Sequence, residues 1–141
     1  MAVTETIHAT SVSFAGQALL IAGPSGSGKS GLALQMMALG AGLIADDRTV
    51  LRVEGGRLIA SCPETISGMI EARGIGILNA TAADPAPVAA MVDMGQVEPA
   101  RLPDPRKVTQ LGQTLPLFWR VEYPHFAASL MQYLSHGRSP R

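Results

Sequence analysis

A glycine-rich octapeptide, GPSGSGKS (Gly23–Ser30), limits the folds that this chain can adopt more than any other segment does. It follows the short apolar run ALLIA, which is typical of a strand buried inside a sheet. It leads into SGLALQMMAL, where Leu32, Met36 and Leu39 recur at helical spacing before two glycines favour a stop. A strand, a tight glycine-rich loop and a helix in this order predict an α/β fold.

The octapeptide matches the complete phosphate-binding pattern Gly-x4-Gly-Lys-Ser, which disfavours an ordinary glycine-rich turn. Small residues let successive backbone N–H groups point at a phosphate placed at the start of the helix. Lys29 is expected to reach the β- and γ-phosphates of a nucleotide, and the Ser30 hydroxyl to bind Mg²⁺. The predicted nucleotide contacts are the residues of the loop: Gly23, Pro24, Ser25, Gly26, Ser27, Gly28, Lys29 and Ser30.

Two aspartates, Asp46 and Asp47, follow Lys29 by 17 and 18 residues, at the end of the predicted strand 43–45. In open α/β sheets ligands bind at the carboxyl ends of strands, so both carboxylates are expected to face the outermost phosphate. One aspartate can lie close to a metal ion while the other accepts the proton of an attacking hydroxyl. An Asp-rich turn without a catalytic role is the alternative interpretation.

Three more residues are candidates for the same site. His8 lies on a predicted strand, 6–14, whose hairpin with the next strand brings the imidazole near the loop. Glu71 and Arg73 precede the predicted strand 75–78 and can supply a metal ligand and a phosphate clamp. Each has an ordinary alternative: a structural or solvated histidine, and a salt bridge between the glutamate and the arginine.

The rest of the chain predicts further strands and a closing helix. TVLRV and RLIAS form a predicted hairpin, and residues 64–71 a predicted short helix. AAMVDM and LPLFWRVEY are predicted strands, and between them VEPARLPDPRK is a predicted loop. HFAASLMQYL has apolar residues at helical spacing, and a flexible tail is expected over 134–141. We expect a single domain, residues 1–141, because a chain of this length suits one core.

Composition narrows the functional classes. Eleven basic and eleven acidic residues balance, which argues against a nucleic-acid or membrane-surface partner. Cys62 is the single cysteine, which excludes an internal disulfide and a cysteine-based zinc site and is consistent with a reducing compartment. No apolar run reaches the length of a membrane span and the first residues lack a signal-peptide pattern, so a cytoplasmic protein is expected.

In combination, these motifs resemble the catalytic domain of bacterial HPr kinase/phosphorylase, which phosphorylates a serine of the phosphocarrier protein HPr. The similarity rests on His8 fifteen residues before Gly23, the loop GPSGSGKS, the helix end ALQMMALG, the strand end LIADD and the segment MIEARGIGILN. The resemblance implies a P-loop kinase domain related to phosphoenolpyruvate carboxykinase, with a mixed β-sheet and flanking helices. It also implies ATP and Mg²⁺ as cofactors, HPr as the protein substrate, and homo-oligomers, which are often hexamers in the family.

The resemblance also assigns roles to individual residues. The catalytic residues it implies are Asp47 as the proton acceptor, Asp46 as its support, His8 beside the loop, Lys29 on the nucleotide, and Arg101 in the segment ARLPD. The metal ligands it implies are Ser30, Glu71 and Asp47, and it places Arg73 in the signature segment at the nucleotide.

Three departures from the family pattern affect the functional prediction. The family's N-terminal domain is not expected, because the sequence resembles short versions that consist of the catalytic domain. Gly31 stands where the family commonly has Glu. LPLFWRVEY does not match the C-terminal segment used for phosphorolysis, so kinase activity is predicted and phosphorolysis is not. Two alternatives stay open: a P-loop kinase for a small metabolite, and a regulatory module that binds ATP without turnover.

Overall fold

The computed structural model of the protein describes residues 3–140. The strands are β1 (Thr4–Ile7), β2 (Ala9–Phe14), β3 (Gln17–Ala22), β4 (Gly42–Ala45), β5 (Thr49–Glu54), β6 (Arg57–Ser61), β7 (Met69–Ala72), β8 (Gly76–Asn79), β9 (Ala86–Val97), β10 (Arg106–Gln110) and β11 (Gln113–Arg120). The helices are α1 (Lys29–Ala38) and α2 (Phe126–His136), with one turn of 3₁₀ helix at Glu64–Ile66. Neither α-helix of the described chain is long and apolar enough to cross a bilayer.

Nine strands form one mixed sheet organised around β9, and β7 and β8 form a separate hairpin. The main path through the sheet is β1-β5-β6-β9-β3-β2-β4, and β11 and β10 branch from β9. The branch is possible because β9 is 12 residues long. β6 pairs with the start of β9 at Ala86 and Pro87, and β11 pairs with the later part of β9, from Met91 onward. The result is a mixed α/β fold with a large curled sheet.

One edge of the sheet collects the segments that carry the candidate residues. β3 and β9 are parallel, whereas β2 lies antiparallel between β3 and β4. Because β2 opposes both neighbours, β3 and β4 run in the same direction, and their C-terminal ends lie where β2 begins. The loop 23–28, the Asp46-Asp47 pair and the start of β2 next to His8 therefore meet at this edge.

The sheet is buried on both faces near β3. Leu19 and Ile21 point to the face that the helices cover, where they pack in one cluster with Met36 of α1. Leu20 points to the opposite face and packs in a second cluster with Leu51 of β5. Successive side chains of a strand alternate between faces, so a strand buried on both sides is apolar throughout, as ALLIA is.

Both predicted hairpins beside the loop and its aspartates are present. β2 pairs with β3 around the turn at Ala15 and Gly16, and β5 pairs with β6 around Gly55 and Gly56. Both α-helices are also present, and α2 continues to His136, two residues beyond its predicted end.

Three predicted elements differ from the structure. The strand predicted over 6–14 is two strands, β1 and β2, because the chain bends at His8 and β1 pairs with β5 instead. The helix predicted over 64–71 is one 3₁₀ turn followed by β7, since Gly68 takes φ +73 between them. The predicted loop VEPARLPDPRK ends in an unpredicted strand, β10, which forms a hairpin with β11.

Gly31→Ala is expected to stabilise the fold. Gly31 lies in the first turn of α1 without a positive φ, and an added Cβ would meet no atom within 4 Å. Alanine is favoured over glycine in a helix, so the free energy of unfolding should rise by about 0.5–1 kcal/mol. Urea unfolding followed by circular dichroism measures the change. Gly112→Ala is the control, because φ +75 at Gly112 should make that variant less stable; a destabilised Gly31→Ala variant would contradict the expectation.

Candidate active site

A cavity of about 420 Å³ opens at the sheet edge described above. It lies between the loop, the end of β4 and the β7–β8 hairpin, which come from three separate parts of the chain. Most of the predicted site residues line it. The lining residues are Ser25, Gly26, Gly28, Lys29, Ser30, Gly31, Leu34, Asp46, Asp47, Glu71 and Arg73.

The backbone of the loop depends on its glycines. Gly23, Gly26 and Gly28 have φ values of 141, 81 and 96°, in the region that favours glycine. A Cβ on Gly23 would lie 2.7 Å from Ser27 Oγ and 3.1 Å from the Cβ of Met94, so a larger residue there would displace these neighbours. No side chain of the described residues caps α1 at Gly28, which leaves the first N–H groups of the helix available to an anion.

Lys29 is folded back onto the loop. Its Nζ donates hydrogen bonds to the carbonyl oxygens of Gly23 at 2.9 Å and Pro24 at 3.2 Å, and the residue is 6% exposed. None of the ion pairs found within residues 3–140 includes this lysine. A buried ammonium without a carboxylate partner is unfavourable, so this position favours an anionic ligand.

Asp46 joins three segments at the cavity. Its Oδ1 accepts hydrogen bonds from Ser30 Oγ at 2.6 Å and from Thr10 Oγ1 at 3.0 Å. Its Oδ2 accepts one from the backbone N–H of Glu71 at 2.9 Å. Because the Ser30 hydroxyl donates its hydrogen to Asp46, the lone pairs of that oxygen are left for a cation.

Asp47 has a different backbone conformation and different partners. Its φ is +67°, and its backbone N–H donates to Thr10 Oγ1 at 3.1 Å. One carboxylate oxygen contacts His8 Nε2, and the side chains of His8 and Asp47 are 51% and 58% exposed. Asp46 therefore holds Ser30, whereas Asp47 is open both to the cavity and to a molecule that approaches from solvent.

Glu71 and Arg73 enter the cavity from β7 and the turn that follows it. A Cβ added to Gly26 would lie 4.0 Å from Arg73 Nη2, so the guanidinium reaches the loop. The ion pairs found within residues 3–140 do not include one between these two side chains, which argues against the salt-bridge alternative. Their carboxylate and guanidinium stay available for a cation and a phosphate.

The cavity suits a magnesium ion that arrives with a phosphate rather than a metal site built from protein alone. Among residues 3–140, no three His, Cys, Asp or Glu side chains come together as a metal-binding group. Mg²⁺ in nucleotide sites uses one or two protein ligands together with phosphate oxygens and water. The predicted metal ligands Ser30, Glu71 and Asp47 all line the cavity with oxygen atoms, and so does Asp46, so the donor set fits Mg²⁺ bound in this way.

Comparison with known proteins shows which family the chain belongs to. A family model described as HPr Serine kinase C-terminal domain matches residues 1–83, more than half of the chain. This chain belongs to the HPr serine kinase C-terminal domain family. The resemblance predicted from the sequence motifs is therefore confirmed.

Curated members of this family match a stretch of similar length. The HPr kinase/phosphorylase of Bordetella petrii is 40% identical over 80 residues, which cover 56% of this chain and 26% of that protein. The HPr kinase/phosphorylase of Clostridium botulinum is 44% identical over 75 residues, which cover 53% of this chain and 25% of that protein. The matched part of the chain thus spans about a quarter of the length of these relatives.

The structural likeness extends further than the sequence match. The structure of the Hpr(Ser) kinase/phosphatase from Coxiella burnetii superimposes on this chain with a TM-score of 0.76 and 25% sequence identity. The aligned residues cover 91% of this chain and 92% of that chain. The predicted α/β class with a mixed sheet is confirmed by this likeness to a family structure.

Five predicted site residues do not line the cavity themselves. Four of them are next to it, because His8 contacts Asp47 and Gly23, Pro24 and Ser27 belong to the loop. The fifth, Arg101, lies away from the site. It is exposed in the loop between β9 and β10 and lines a separate groove with Trp119 and Tyr123. β9 passes the phosphate loop at Met94 and Gly95 and continues to Val97, so the chain has left the cavity before Arg101.

Arg101→Ala is therefore expected to leave the dissociation constant for Mg²⁺-ATP unchanged. Arg73→Ala is the matched comparison, because it removes a guanidinium that lines the cavity. A charged hydrogen bond contributes about 1.5–3 kcal/mol, so the affinity of that variant should fall by about tenfold or more. Titration calorimetry measures both. Weaker binding by Arg101→Ala would place that arginine in the nucleotide site.

The residues of β2 and β9 that support the aspartates and the loop were not predicted from the sequence. Thr10 is fully buried and contacts both aspartates, and β9 packs against the loop. A Cβ on Gly95 would lie 3.2 Å from Pro24 Cδ, and the Gly95 N–H donates to Asp93 Oδ1 at 2.8 Å. The signal in the sequence was a threonine inside a predicted strand, since a hydroxyl that a sheet buries requires a hydrogen-bond partner.

Proposed function

We propose that this chain is a cytoplasmic, ATP-dependent protein serine kinase that phosphorylates HPr and adopts a P-loop kinase fold related to phosphoenolpyruvate carboxykinase. The observation that carries the proposal is that the Asp47 carboxylate lines the same cavity as Lys29 and Ser30. Phosphoryl transfer to a hydroxyl requires a proton acceptor beside the groups that hold the phosphate. Membership of the HPr serine kinase family supports HPr as the substrate and the phosphotransferase system as the context.

The residues of the chain mainly position the nucleotide and compensate its charge. Loop N–H groups and Lys29 hold the β- and γ-phosphates, whose oxygens replace the two loop carbonyls that accept from Nζ. Mg²⁺ supplies positive charge to the phosphates, and Ser30 and Glu71 are the residues that would hold it. Arg73, which reaches the loop, adds a guanidinium for a phosphate oxygen.

Asp47 accepts the proton of the acceptor serine. As the serine oxygen bonds to the γ-phosphorus, the bond to the leaving phosphate oxygen breaks and ADP forms. His8 contacts the carboxylate and orients it toward the incoming hydroxyl. The exposure of Asp47 and His8 supports a macromolecular substrate, because its serine must reach the carboxylate from solvent.

Incubation of the protein with Mg²⁺-ATP and HPr tests this proposal. The expected product is HPr with one phosphoserine, which mass spectrometry locates on the peptide. A parallel panel of small hydroxyl compounds tests a metabolite kinase, since the same cavity can hold a sugar or an acid. Unmodified HPr together with a phosphorylated metabolite would overturn the protein-kinase assignment in favour of that alternative.

A regulatory module that binds ATP without turnover is the second candidate. Two observations favour it: Arg101 lies outside the cavity, and Gly31, which lines it, lacks the carboxylate common in the family. Tight ATP binding in calorimetry, with neither ADP nor phosphoserine after long incubation, would support this candidate over the kinase.

A further inference from the structure

Thr10 of β2 lies between the two aspartates and is fully buried. Its hydroxyl donates to Asp46 Oδ1 at 3.0 Å and accepts from the backbone N–H of Asp47 at 3.1 Å. We propose that Thr10 is a positioning residue that sets the Asp46 carboxylate and the Asp47 backbone at the same time. The proposal rests on the proposed function, because it concerns the residues of that site.

Strand register places Thr10 at this point. β2 and β4 pair antiparallel with Ser11 opposite Ala45, so Thr10 is the next residue toward the edge where Asp46 follows β4. A hydroxyl has one hydrogen to donate and lone pairs to accept. The hydroxyl hydrogen of Thr10 is donated to the Asp46 carboxylate, and a lone pair of the same oxygen accepts the Asp47 N–H. Each hydrogen bond therefore fixes the orientation of the hydroxyl for the other.

The Asp47 backbone depends on such support. Its φ of +67° lies in the left-handed region, which is unfavourable for a residue with a Cβ unless its surroundings hold it there. Two hydrogen bonds hold the turn: Asp47 N–H to Thr10, and Arg48 N–H to the Asp46 carbonyl at 2.8 Å. Loss of the Thr10 hydroxyl leaves one of them, so the turn that carries the Asp47 carboxylate is held less firmly, and the contact with His8 is the remaining restraint on that carboxylate.

The Asp46 carboxylate is affected through the same hydroxyl. Without Thr10, it keeps the hydrogen bonds from Ser30 and from the Glu71 N–H but loses the third one, from the sheet. Ser30 is one of the two residues proposed to hold Mg²⁺ and is bonded to Asp46, so the metal-dependent part of ATP binding should weaken. No hydrogen bond of Thr10 reaches the loop 23–28 within the described chain, so phosphate binding without Mg²⁺ should persist.

A neighbouring residue provides a matched control. Ser11 is equally buried on the same strand, and its hydroxyl bonds Thr49 Oγ1 at 2.8 Å. Thr49 in turn donates to the Ala9 carbonyl at 2.9 Å. This pair shows no hydrogen bond to either aspartate in the described residues, so Ser11→Ala removes a buried hydroxyl and leaves the site intact.

Thr10→Val removes the hydroxyl and keeps the shape, whereas Thr10→Ser keeps the hydroxyl. The measurements on the full chain are kcat and KM for HPr phosphorylation, and ATP affinity by calorimetry with Mg²⁺ and with EDTA. For Thr10→Val, kcat should fall by about 10- to 100-fold, as on loss of other residues that orient a metal ligand. The gain in ATP affinity from Mg²⁺ should shrink, and ATP affinity in EDTA should stay unchanged. Thr10→Ser should have the kcat of the parent and the same gain in ATP affinity from Mg²⁺. Ser11→Ala should alter only the unfolding temperature.

An unchanged kcat together with an unchanged Mg²⁺ effect in Thr10→Val would overturn the proposal. So would Thr10→Ser that behaves like Thr10→Val, or Ser11→Ala with an equal loss of kcat. If the parent protein leaves HPr unmodified, the proposed function fails, but the Mg²⁺ effect on ATP affinity still decides the role of Thr10. Thr10→Ala, which adds no bulk, takes the place of Thr10→Val if that variant does not fold.

Discussion

Asp47→Asn is expected to lower the rate of HPr phosphorylation by about 10²- to 10⁴-fold, the contribution of a positioned general base. Asparagine has the size of aspartate and tolerates the left-handed φ of +67° at this position, so the turn should be kept. Its amide cannot take the proton of the serine hydroxyl. The loss should appear in kcat, with the KM for ATP nearly unchanged, because Lys29 and the loop hold the nucleotide.

Asp84→Asn is the matched control for this experiment. Asp84 is exposed in the segment before β9 and does not line the cavity, so the same chemical change should leave the rate at the parent value. A time course of phosphoserine formation, measured by mass spectrometry at saturating ATP, gives both rates. Equal rates for Asp47→Asn and the parent would remove Asp47 from the chemistry and would leave the cavity without its proposed proton acceptor.

The phosphate loop was predictable because its sequence determines its own backbone. Gly23, Gly26 and Gly28 occupy the positive φ values that the pattern needs, and the apolar strand and the helix on either side follow from local periodicity. The hairpins β2–β3 and β5–β6 were predictable for the same reason, since short glycine-containing turns separate their β-rich runs.

The rest of the site depends on contacts between distant parts of the chain, which local patterns do not specify. β2 lies between β3 and β4, and only that strand order brings Thr10 beside Asp46. β7 alternates between exposed and buried residues, as in Met69 and Ile70, but four residues are too few to distinguish a strand from a short helix. The path of β9 past the loop likewise decides that Arg101 lies away from the cavity.

Lys29→Met is expected to weaken ATP binding by about 10- to 150-fold, because hydrogen bonds to a charged group contribute about 1.5–3 kcal/mol. Lys29 is buried, pairs with no carboxylate among residues 3–140 and donates only to two loop carbonyls. ATP binding would supply the negative charge that this ammonium lacks. Methionine keeps the apolar stem and removes the charge, so the fold should persist while phosphate affinity falls.

The chain offers a direct control, since Lys107 is its other lysine and is exposed on β10. Lys107→Met removes the same charge far from the loop in sequence, and Lys107 does not line the cavity, so ATP affinity should stay at the parent value. Calorimetric titration with ATP compares the two variants, and circular dichroism verifies that each is folded. If both bound ATP like the parent, the phosphates would not be held by the loop, and the buried charge of Lys29 would need a different anion.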